Sequence, residues 1–152
     1  MSKHKIAYDQ VFEFDLAGSV SFGNLSQSKV YELFQDGRVA SKFIENILPE
    51  WFEDLEYVDQ DGYDHVQTST GRRLDLKGFT GGGANYAPSN MLGAGRRVDR
   101  AKLHEHALEI DYILSDITAF PQVKIVFKRG TDLVEYWPSG KIPAYHRKLL
   151  FG

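Results

Sequence analysis

The hydrophobic period of the chain changes at about residue 26. Before this point, residues 12–16 alternate apolar with acidic side chains, which predicts a β-strand, and residues 20–22 repeat the alternation. After it, apolar positions recur at the spacing of one helix face. Asp36-Gly37 predicts a break into two helices. Pro49 predicts the end of the second, because proline lacks the N–H that a helix interior needs.

The middle of the chain predicts short strands joined by turns. Residues 55–58 form a strand-like run that leads into a turn at residues 59–62. Residues 64–67 and 72–77 then predict a hairpin whose strands are joined across residues 68–71. The leucines of the second hairpin strand are expected to face the core, which places its polar side chains together on the other face.

The C-terminal half predicts one helix and two apolar strands. A glycine-rich, irregular stretch over residues 78–95 precedes a predicted helix at 98–109. Residues 110–117 and 123–127 are the most apolar strand candidates, and a helix or turn is expected at 132–137. This order of elements predicts an α/β fold with a mixed central β-sheet flanked by helices.

Composition limits the class of protein. The chain has 152 residues, 42% hydrophobic and 26% charged, which predicts a single domain over residues 1–152. No run approaches the roughly 18 apolar residues of a membrane helix, and the N-terminus lacks the apolar stretch of a secretory signal. The absence of cysteine excludes disulfides, thiolate catalysis and thiolate zinc sites. We therefore expect an intracellular, cytoplasmic protein that does not enter a membrane.

The net charge of −3 conceals an asymmetry between the two halves. Residues 1–64 carry 5 Lys/Arg and 13 Asp/Glu, whereas residues 65–152 carry 13 and 8. Much of the basic excess lies in residues 71–102, around the predicted hairpin, which favours a polyanionic substrate. The alternative is a solvated basic surface balanced by an acidic face elsewhere.

The hairpin carries the residues with the clearest candidate chemistry. Asp64 begins its first strand, and Asp75 and Lys77 lie on one face of its second, so both carboxylates are expected at the same end of the sheet. Mg²⁺ binds one or two carboxylates together with waters and substrate phosphate. Lys77 would orient or help to deprotonate the attacking water, or stabilise charge that develops on phosphorus. The tripeptide acid-x-Lys is expected about once by chance in such a chain. The tripeptide alone is therefore weak evidence, and the interpretation depends on its position at a predicted strand end, after an upstream aspartate and among basic residues.

The arrangement resembles the PD-(D/E)xK nuclease superfamily, and more particularly the small type II restriction endonucleases. The family pattern is an acid, a spacer and then acid-x-Lys on the neighbouring strand. Asp64, Asp75 and Lys77 follow it position by position, with Tyr63 where the pattern has a proline. The resemblance covers about residues 38–127.

The resemblance implies a restriction-endonuclease-like core and a magnesium-dependent endodeoxyribonuclease that cleaves double-stranded DNA, usually as a homodimer that reads a short palindrome. It also implies a glutamate from a preceding helix, for which Glu45 is the first candidate and Glu32 the second. The backbone carbonyl of Leu76 is expected as a further metal ligand. The role would be that of the nuclease in restriction–modification.

The glycine-rich stretch after Lys77 is the candidate for DNA contacts. Its glycines permit close approach to phosphates, and asparagine and arginine side chains match adenine and guanine edges in the major groove. The alternative interpretation is a surface loop that does not contact DNA. The residues predicted to contact DNA are Asn85, Ser89, Asn90, Arg96 and Arg97.

Other interpretations remain at this point. His104 and His106 resemble a metal pair, but residues two apart on a helix point to different faces, so two solvated histidines are expected. His65 adjoins Asp64, although strand alternation places it on the opposite face. A phage or repair nuclease of the same superfamily, acting on junctions or branched DNA, is the nearest rival function. A non-catalytic nucleic-acid-binding module is the other.

Overall fold

A computed structural model of the chain describes residues 2–87 and 99–152. Its main feature is a mixed sheet with the spatial strand order β1–β7–β6–β4–β3–β2. Neighbouring strands in this sheet are antiparallel except for β4 and β6, which run parallel. The strands are β1 Val11–Asp15, β2 Leu55–Gln60, β3 Tyr63–Gln67, β4 Arg72–Phe79, β6 Ile110–Asp116 and β7 Gln122–Lys128. A smaller sheet pairs β5 Ala84–Asn85 with β8 Lys141–Ile142.

Helices cover both faces of the main sheet, so the predicted α/β class is confirmed. They are α1 Gln27–Phe34, α2 Gly37–Trp51, α3 Arg100–Glu109, α4 Gly130–Tyr136 and α5 Arg147–Phe151, with a short 3-10 turn at Ala144–His146. Helix α3 lies in the connection between β4 and β6, as a parallel strand pair requires. Within the described residues, no helix is long and apolar enough to cross a membrane.

The three longest helices begin at residues whose side chains cap them. Ser26 accepts a hydrogen bond from the Lys29 N–H, and Asp36 accepts one from the Arg38 N–H. Asp99 accepts two from the first turn of α3. These caps satisfy backbone donors that have no partner inside the helix. The predicted break at Asp36-Gly37 is confirmed, because Asp36 starts α2.

Two hydrophobic clusters sandwich the sheet. The first packs beneath α1 and α2 and includes Leu74 and Leu76 of β4, which face the core as predicted. The second includes Phe79 and Tyr112 and packs beneath α3, α4 and α5. Strand β6 is buried at every position, as expected for a central strand covered on both faces.

Some local predictions are wrong. Residues 20–22 form no strand; Val20 instead packs into the first cluster, and Phe22 stacks on Phe34 outside the sheet. Pro49 does not end α2, which continues to Trp51. A proline in the last turn removes one hydrogen bond and leaves the carbonyl four residues earlier without its helical donor. That carbonyl belongs to Glu45, and it has another partner.

A buried carboxylate joins three distant parts of the chain. Asp111 of β6 is bound by Arg72 through Nε–Oδ2 (2.9 Å) and Nη2–Oδ1 (2.8 Å). The Tyr8 hydroxyl donates to Oδ2 at 2.6 Å and the Gly130 N–H to Oδ1 at 3.0 Å. Burial alone would raise the pKa of Asp111, but these hydrogen bonds outweigh it and lower the pKa. Asp111 therefore ties the N-terminal segment, β4 and α4 to the central strand.

We expect Asp111→Asn to destabilise the protein by about 2–4 kcal/mol, because removing one partner leaves the Arg72 charge uncompensated. This loss of stability lies towards the low end of the range for broken buried ion pairs, because the Arg72 side chain is 33% exposed. Since the folded-state pKa of Asp111 is lowered, its contribution is present above the unfolded pKa and is lost as pH falls. Urea unfolding at neutral and acidic pH measures both effects. Glu32→Gln, which removes an exposed ion pair with Lys29, is the control and should change stability by less than about 1 kcal/mol.

Candidate active site

The candidate site lies where β3 and β4 separate. Regular pairing joins residues 65–67 to residues 72–74 and ends at the His65–Leu74 pair. Beyond this point the Asp64 carboxylate takes the place of a strand partner. It accepts the Leu76 N–H at 3.0 Å to Oδ1 and 3.1 Å to Oδ2. Because the Leu76 N–H donates to a side chain here and not to the backbone of β3, the two strands separate and a carboxylate lies beside β4.

A cavity of about 270 Å³ occupies this opening. The four side chains predicted from sequence as catalytic line it together, although they come from α2, β3 and β4. Glu32 does not line it; this residue lies on α1, with its side chain 69% exposed and 3.6 Å from Lys29. Between the two glutamates, the structure therefore favours Glu45 as the site residue. The lining residues are Glu45, Asp59, Gln60, Gly62, Tyr63, Asp64, Asp75 and Lys77.

Asp75 and Lys77 form an ion pair within the cavity. The Lys77 Nζ lies 3.1 Å from Asp75 Oδ2, and the lysine and aspartate side chains are 26% and 15% exposed respectively. Burial raises the pKa of Asp75 to about 7. Lys77 opposes this rise, whereas the charge of Asp64 and its hydrogen-bonding contact with Asp75 add to it. The positive charge of Lys77 therefore only partly compensates the negative charge of the two neighbouring carboxyl groups in this buried site.

His65 contacts Asp64 from the opposite face of the strand. Alternation was predicted to place the ring on the face opposite to Asp64. In the structure Nδ1 nevertheless reaches Asp64 Oδ1 at 2.6 Å, and Nε2 lies 2.8 Å from the Glu45 carbonyl oxygen of α2. The ring is fully buried. Because a carbonyl can only accept, Nε2 carries a proton and donates it. At 2.6 Å the contact at Nδ1 is a short hydrogen bond between the ring and the Asp64 carboxyl group.

The local sequence explains the bond to Glu45. In a regular helix the Glu45 carbonyl would accept the N–H of residue 49, but that residue is Pro49. His65 supplies the missing donor from the neighbouring strand. Sequence reasoning missed this link. The sequence offers only the proline four residues after the candidate glutamate, which leaves the Glu45 carbonyl without its helical donor but does not identify the residue that replaces it.

Glu45 presents its carboxylate to the cavity from α2. Its Oε2 lies 3.2 Å from Lys42 Nζ and accepts a longer hydrogen bond, of 3.4 Å, from the Tyr57 hydroxyl. The side chain is 15% exposed. Glu45 is therefore held at the edge of the cavity by two weak partners, one of them the exposed Lys42.

The donor set matches a hard divalent cation. Asp64 and Asp75 present carboxylates to the same cavity, and cations of the Mg²⁺ type bind such oxygens. Within residues 2–87 and 99–152, no group of three or more His, Asp or Glu side chains is arranged to hold a metal ion. Two carboxylates are nevertheless sufficient for Mg²⁺, which keeps several waters and completes its shell with substrate phosphate. The residues present therefore fit Mg²⁺ and do not fit a fully protein-ligated ion.

The other residues predicted for metal or DNA binding are only partly described. The Leu76 N–H points to Asp64, whereas a metal-binding role of its carbonyl stays a prediction. Asn85 is exposed on β5, opposite Lys141. Ser89, Asn90, Arg96 and Arg97 lie outside the described residues.

Two arginines of the basic stretch have structural contacts. Arg72 is bound to Asp111 and also donates to the Leu108 carbonyl at 3.0 Å. The Arg73 guanidinium lies 4.9 Å from the centre of the Tyr63 ring. Counting basic residues in the sequence therefore overstates how many arginine side chains are available to bind a polyanion.

His106 differs from the solvated residue that the sequence predicted. His104 is exposed, but His106 is half-buried, and its Nε2 is buried without a hydrogen-bond partner in the described part of the chain. Its Cε1 lies 4.0 Å from where a Cβ at Gly62 would be, beside the cavity. Burial lowers the pKa of His106; the charge of Glu109 opposes this shift, and the positive charge of Lys77 adds to it. The imidazole is therefore held neutral next to the candidate site.

Comparison of the chain with protein-family models, with curated proteins and with solved structures finds no match. Function is therefore inferred from the chemistry of the cavity, because an α/β fold by itself is compatible with many activities.

Proposed function

We propose that the protein is a magnesium-dependent endodeoxyribonuclease of the PD-(D/E)xK type, acting on double-stranded DNA as a sequence-specific restriction enzyme. One observation carries the proposal. Glu45, Asp64, Asp75 and Lys77 come from a helix and two strands, yet they line one cavity where the sheet opens. Strand pairing positions Asp75 and Lys77, and the side chain–backbone bonds to Leu76 position Asp64.

The charge of the cavity explains why a cation is needed. Four carboxylates and one lysine line it, so a phosphodiester would be repelled without a compensating positive charge. Asp64 and Asp75 are the residues that would hold the cation, with Glu45 as an auxiliary acid. The chemistry that Mg²⁺ supplies at such a site is polarisation of the scissile phosphate and activation of water as the nucleophile.

Lys77 is the residue proposed to act on the attacking water. Its ammonium is held by Asp75 at 3.1 Å and is partly shielded from solvent. In that position it can orient the water, assist its deprotonation or stabilise the charge that develops on the phosphate oxygens. Asp75 therefore has two roles, since it binds the cation and also fixes the lysine.

The proposed partners are duplex DNA and a second copy of the chain. A two-fold dimer would present two such cavities to two symmetry-related half-sites. The stretch after β4, which includes Asn85, leads away from the strand that carries Asp75 and Lys77 and is the proposed source of base and phosphate contacts.

Digestion of a sequenced linear plasmid, with and without Mg²⁺, tests the proposal. We expect discrete, reproducible fragments in Mg²⁺ and none in EDTA, because cleavage requires the cation at Asp64 and Asp75. End-mapping of the fragments then gives the recognition sequence. Absence of cutting on every DNA substrate with every divalent cation would contradict the proposal.

Branched substrates separate the main proposal from its nearest rival. A junction or repair nuclease with the same cavity would leave the linear plasmid intact and cut four-way junctions or nicked duplexes. A non-catalytic DNA-binding module would bind DNA equally in EDTA and cut nothing. Salt dependence does not distinguish these cases, because each releases counterions on binding.

A further inference from the structure

A buried histidine connects the two acidic elements of the cavity. His65 is fully buried, and both ring nitrogens have partners: Nδ1 contacts Asp64 Oδ1 at 2.6 Å, and Nε2 contacts the Glu45 carbonyl at 2.8 Å. Asp64 belongs to β3 and Glu45 to α2, so one ring bridges a strand and a helix. Neither ring nitrogen faces the cavity, which His65 does not line.

The bond to Asp64 fixes how that carboxylate is oriented. Oδ1 receives both His65 and the Leu76 N–H, whereas Oδ2 receives only the Leu76 N–H. The two oxygens are therefore unequal, and Oδ2 keeps the greater free acceptor capacity. A carboxylate held in this way has lost the rotational freedom that it would otherwise lose on binding a cation.

The bond to Glu45 fixes the helix. Pro49 leaves the Glu45 carbonyl without its helical donor, and His65 occupies that carbonyl. The ring therefore supports the end of α2 through the backbone of Glu45, a residue whose side chain lines the cavity.

We propose that His65 is a positioning residue: its bond to Asp64 holds that carboxylate in the orientation that receives a divalent cation, whereas its bond to the Glu45 carbonyl supports the end of α2 and contributes to stability. The inference rests on the proposed function for the identity of the cation as Mg²⁺. Groups that hydrogen-bond to metal-binding side chains typically change metal affinity by about 10–100-fold when they are removed. His65 makes such a bond to Asp64, and a second one to the helix that carries Glu45.

Two substitutions of His65 each remove one of its two hydrogen bonds and keep the other. The amide nitrogen of asparagine is the same number of bonds from Cα as Nδ1, so His65→Asn keeps a donor for Asp64 and loses the one for the Glu45 carbonyl. The amide nitrogen of glutamine corresponds to Nε2, so His65→Gln keeps the helix contact and loses the carboxylate contact. Each variant leaves one buried acceptor without its donor, so both are expected to melt several degrees below wild type.

The experiment measures Mn²⁺ binding by the free-ion signal in electron paramagnetic resonance, together with thermal melting, for wild type and both variants. We expect His65→Gln to bind Mn²⁺ about 10–100-fold more weakly than wild type, and His65→Asn to stay within a few-fold of it. The exposed His104→Asn is the control and should match wild type in both measurements.

Equal loss of Mn²⁺ affinity in the two His65 variants would show that the ring is merely structural, and would overturn the inference. Unchanged affinity in both, weaker binding in His65→Asn than in His65→Gln, or no Mn²⁺ binding by wild type would also overturn it. Plasmid cleavage measured on the same samples tests the proposed function separately. Mn²⁺ binding with the expected variant pattern but no cleavage would support the role of His65 and contradict the nuclease.

Discussion

Replacing Asp75 with asparagine is expected to abolish Mg²⁺-dependent DNA cleavage and to make the apoprotein more stable at pH 8. Asparagine removes one of the two carboxylates proposed to hold the cation, so cleavage should fall by at least about 10³-fold. The same change removes a buried negative charge that lies against Asp64. A residue that is costly to stability and retained in a cavity is typical of a functional site.

The stability gain follows from the raised pKa of Asp75. That pKa is about 7 in the folded protein, whereas the ordinary value for an aspartate is 3.8, so between these values the folded protein binds a proton that the unfolded chain has released. The contribution of Asp75 to stability is therefore greatest at low pH and is lost as pH rises from about 4 to about 7. At about 1.4 kcal/mol per pKa unit, Asp75→Asn should stabilise the protein at pH 8 on the order of 2–4 kcal/mol.

Urea unfolding of wild type and Asp75→Asn between pH 4 and pH 8 measures this effect. The difference in free energy of unfolding should be small at pH 4 and should grow towards pH 8. Asp59→Asn is the matched control, because Asp59 lines the same cavity but its side chain is 67% exposed. It should change neither stability nor cleavage by much. A destabilised Asp75→Asn at pH 8 would contradict the electrostatic account of the cavity.

Replacing Lys77 with alanine should reduce DNA cleavage by about 10²–10⁴-fold, the range expected for loss of a group that acts on the attacking water or the developing charge. DNA binding in Ca²⁺ should survive, because Asp64 and Asp75 are still present to hold the cation. Lys77→Arg should not restore full activity, since a planar guanidinium places its donors differently from a compact ammonium.

Single-turnover cleavage rates and Ca²⁺-supported DNA binding together measure the effect of the Lys77 variants. Lys102→Ala removes an exposed lysine from α3 and is the control. If Lys77→Ala lost DNA binding together with cleavage, Lys77 would be a substrate contact rather than a group acting in the chemical step.

The fold was predictable where its determinants are local. The alternating pattern of the hairpin predicted strands that the structure extends by one residue in β3 and two in β4. The capping residue Asp36 marked the start of α2. Predictions failed where tertiary contacts outweigh propensity. Packing draws Val20 into the first cluster outside any strand, and α2 tolerates Pro49 because another part of the chain satisfies the freed carbonyl.

The residues of the candidate site could be predicted from the sequence, but the hydrogen bonds that hold the surrounding structure in place could not. Spacing in the sequence placed Asp64, Asp75 and Lys77 at one end of the sheet because strand periodicity is a local property. The helix partner of His65 and the carboxylate partner of Arg72 lie 20 and 39 residues away in the sequence, and no local pattern identifies either pair. Arg72 shows the consequence: it belongs to the basic stretch that favoured a polyanionic substrate, but its guanidinium is bound to Asp111.

The most direct test of the proposed nuclease centre is a Mg²⁺ titration of plasmid scission by wild type, Asp75→Asn and Lys77→Ala in parallel. We predict saturable, Mg²⁺-dependent cutting by wild type, and cutting slowed by at least about 10²-fold in both variants at every Mg²⁺ concentration, with DNA binding by wild type and Lys77→Ala in Ca²⁺. Cutting by either variant at the wild-type rate would show that the cavity between β3 and β4 is not the nuclease centre. Absence of cutting by wild type, on linear and branched DNA alike, would show that the protein is not a nuclease.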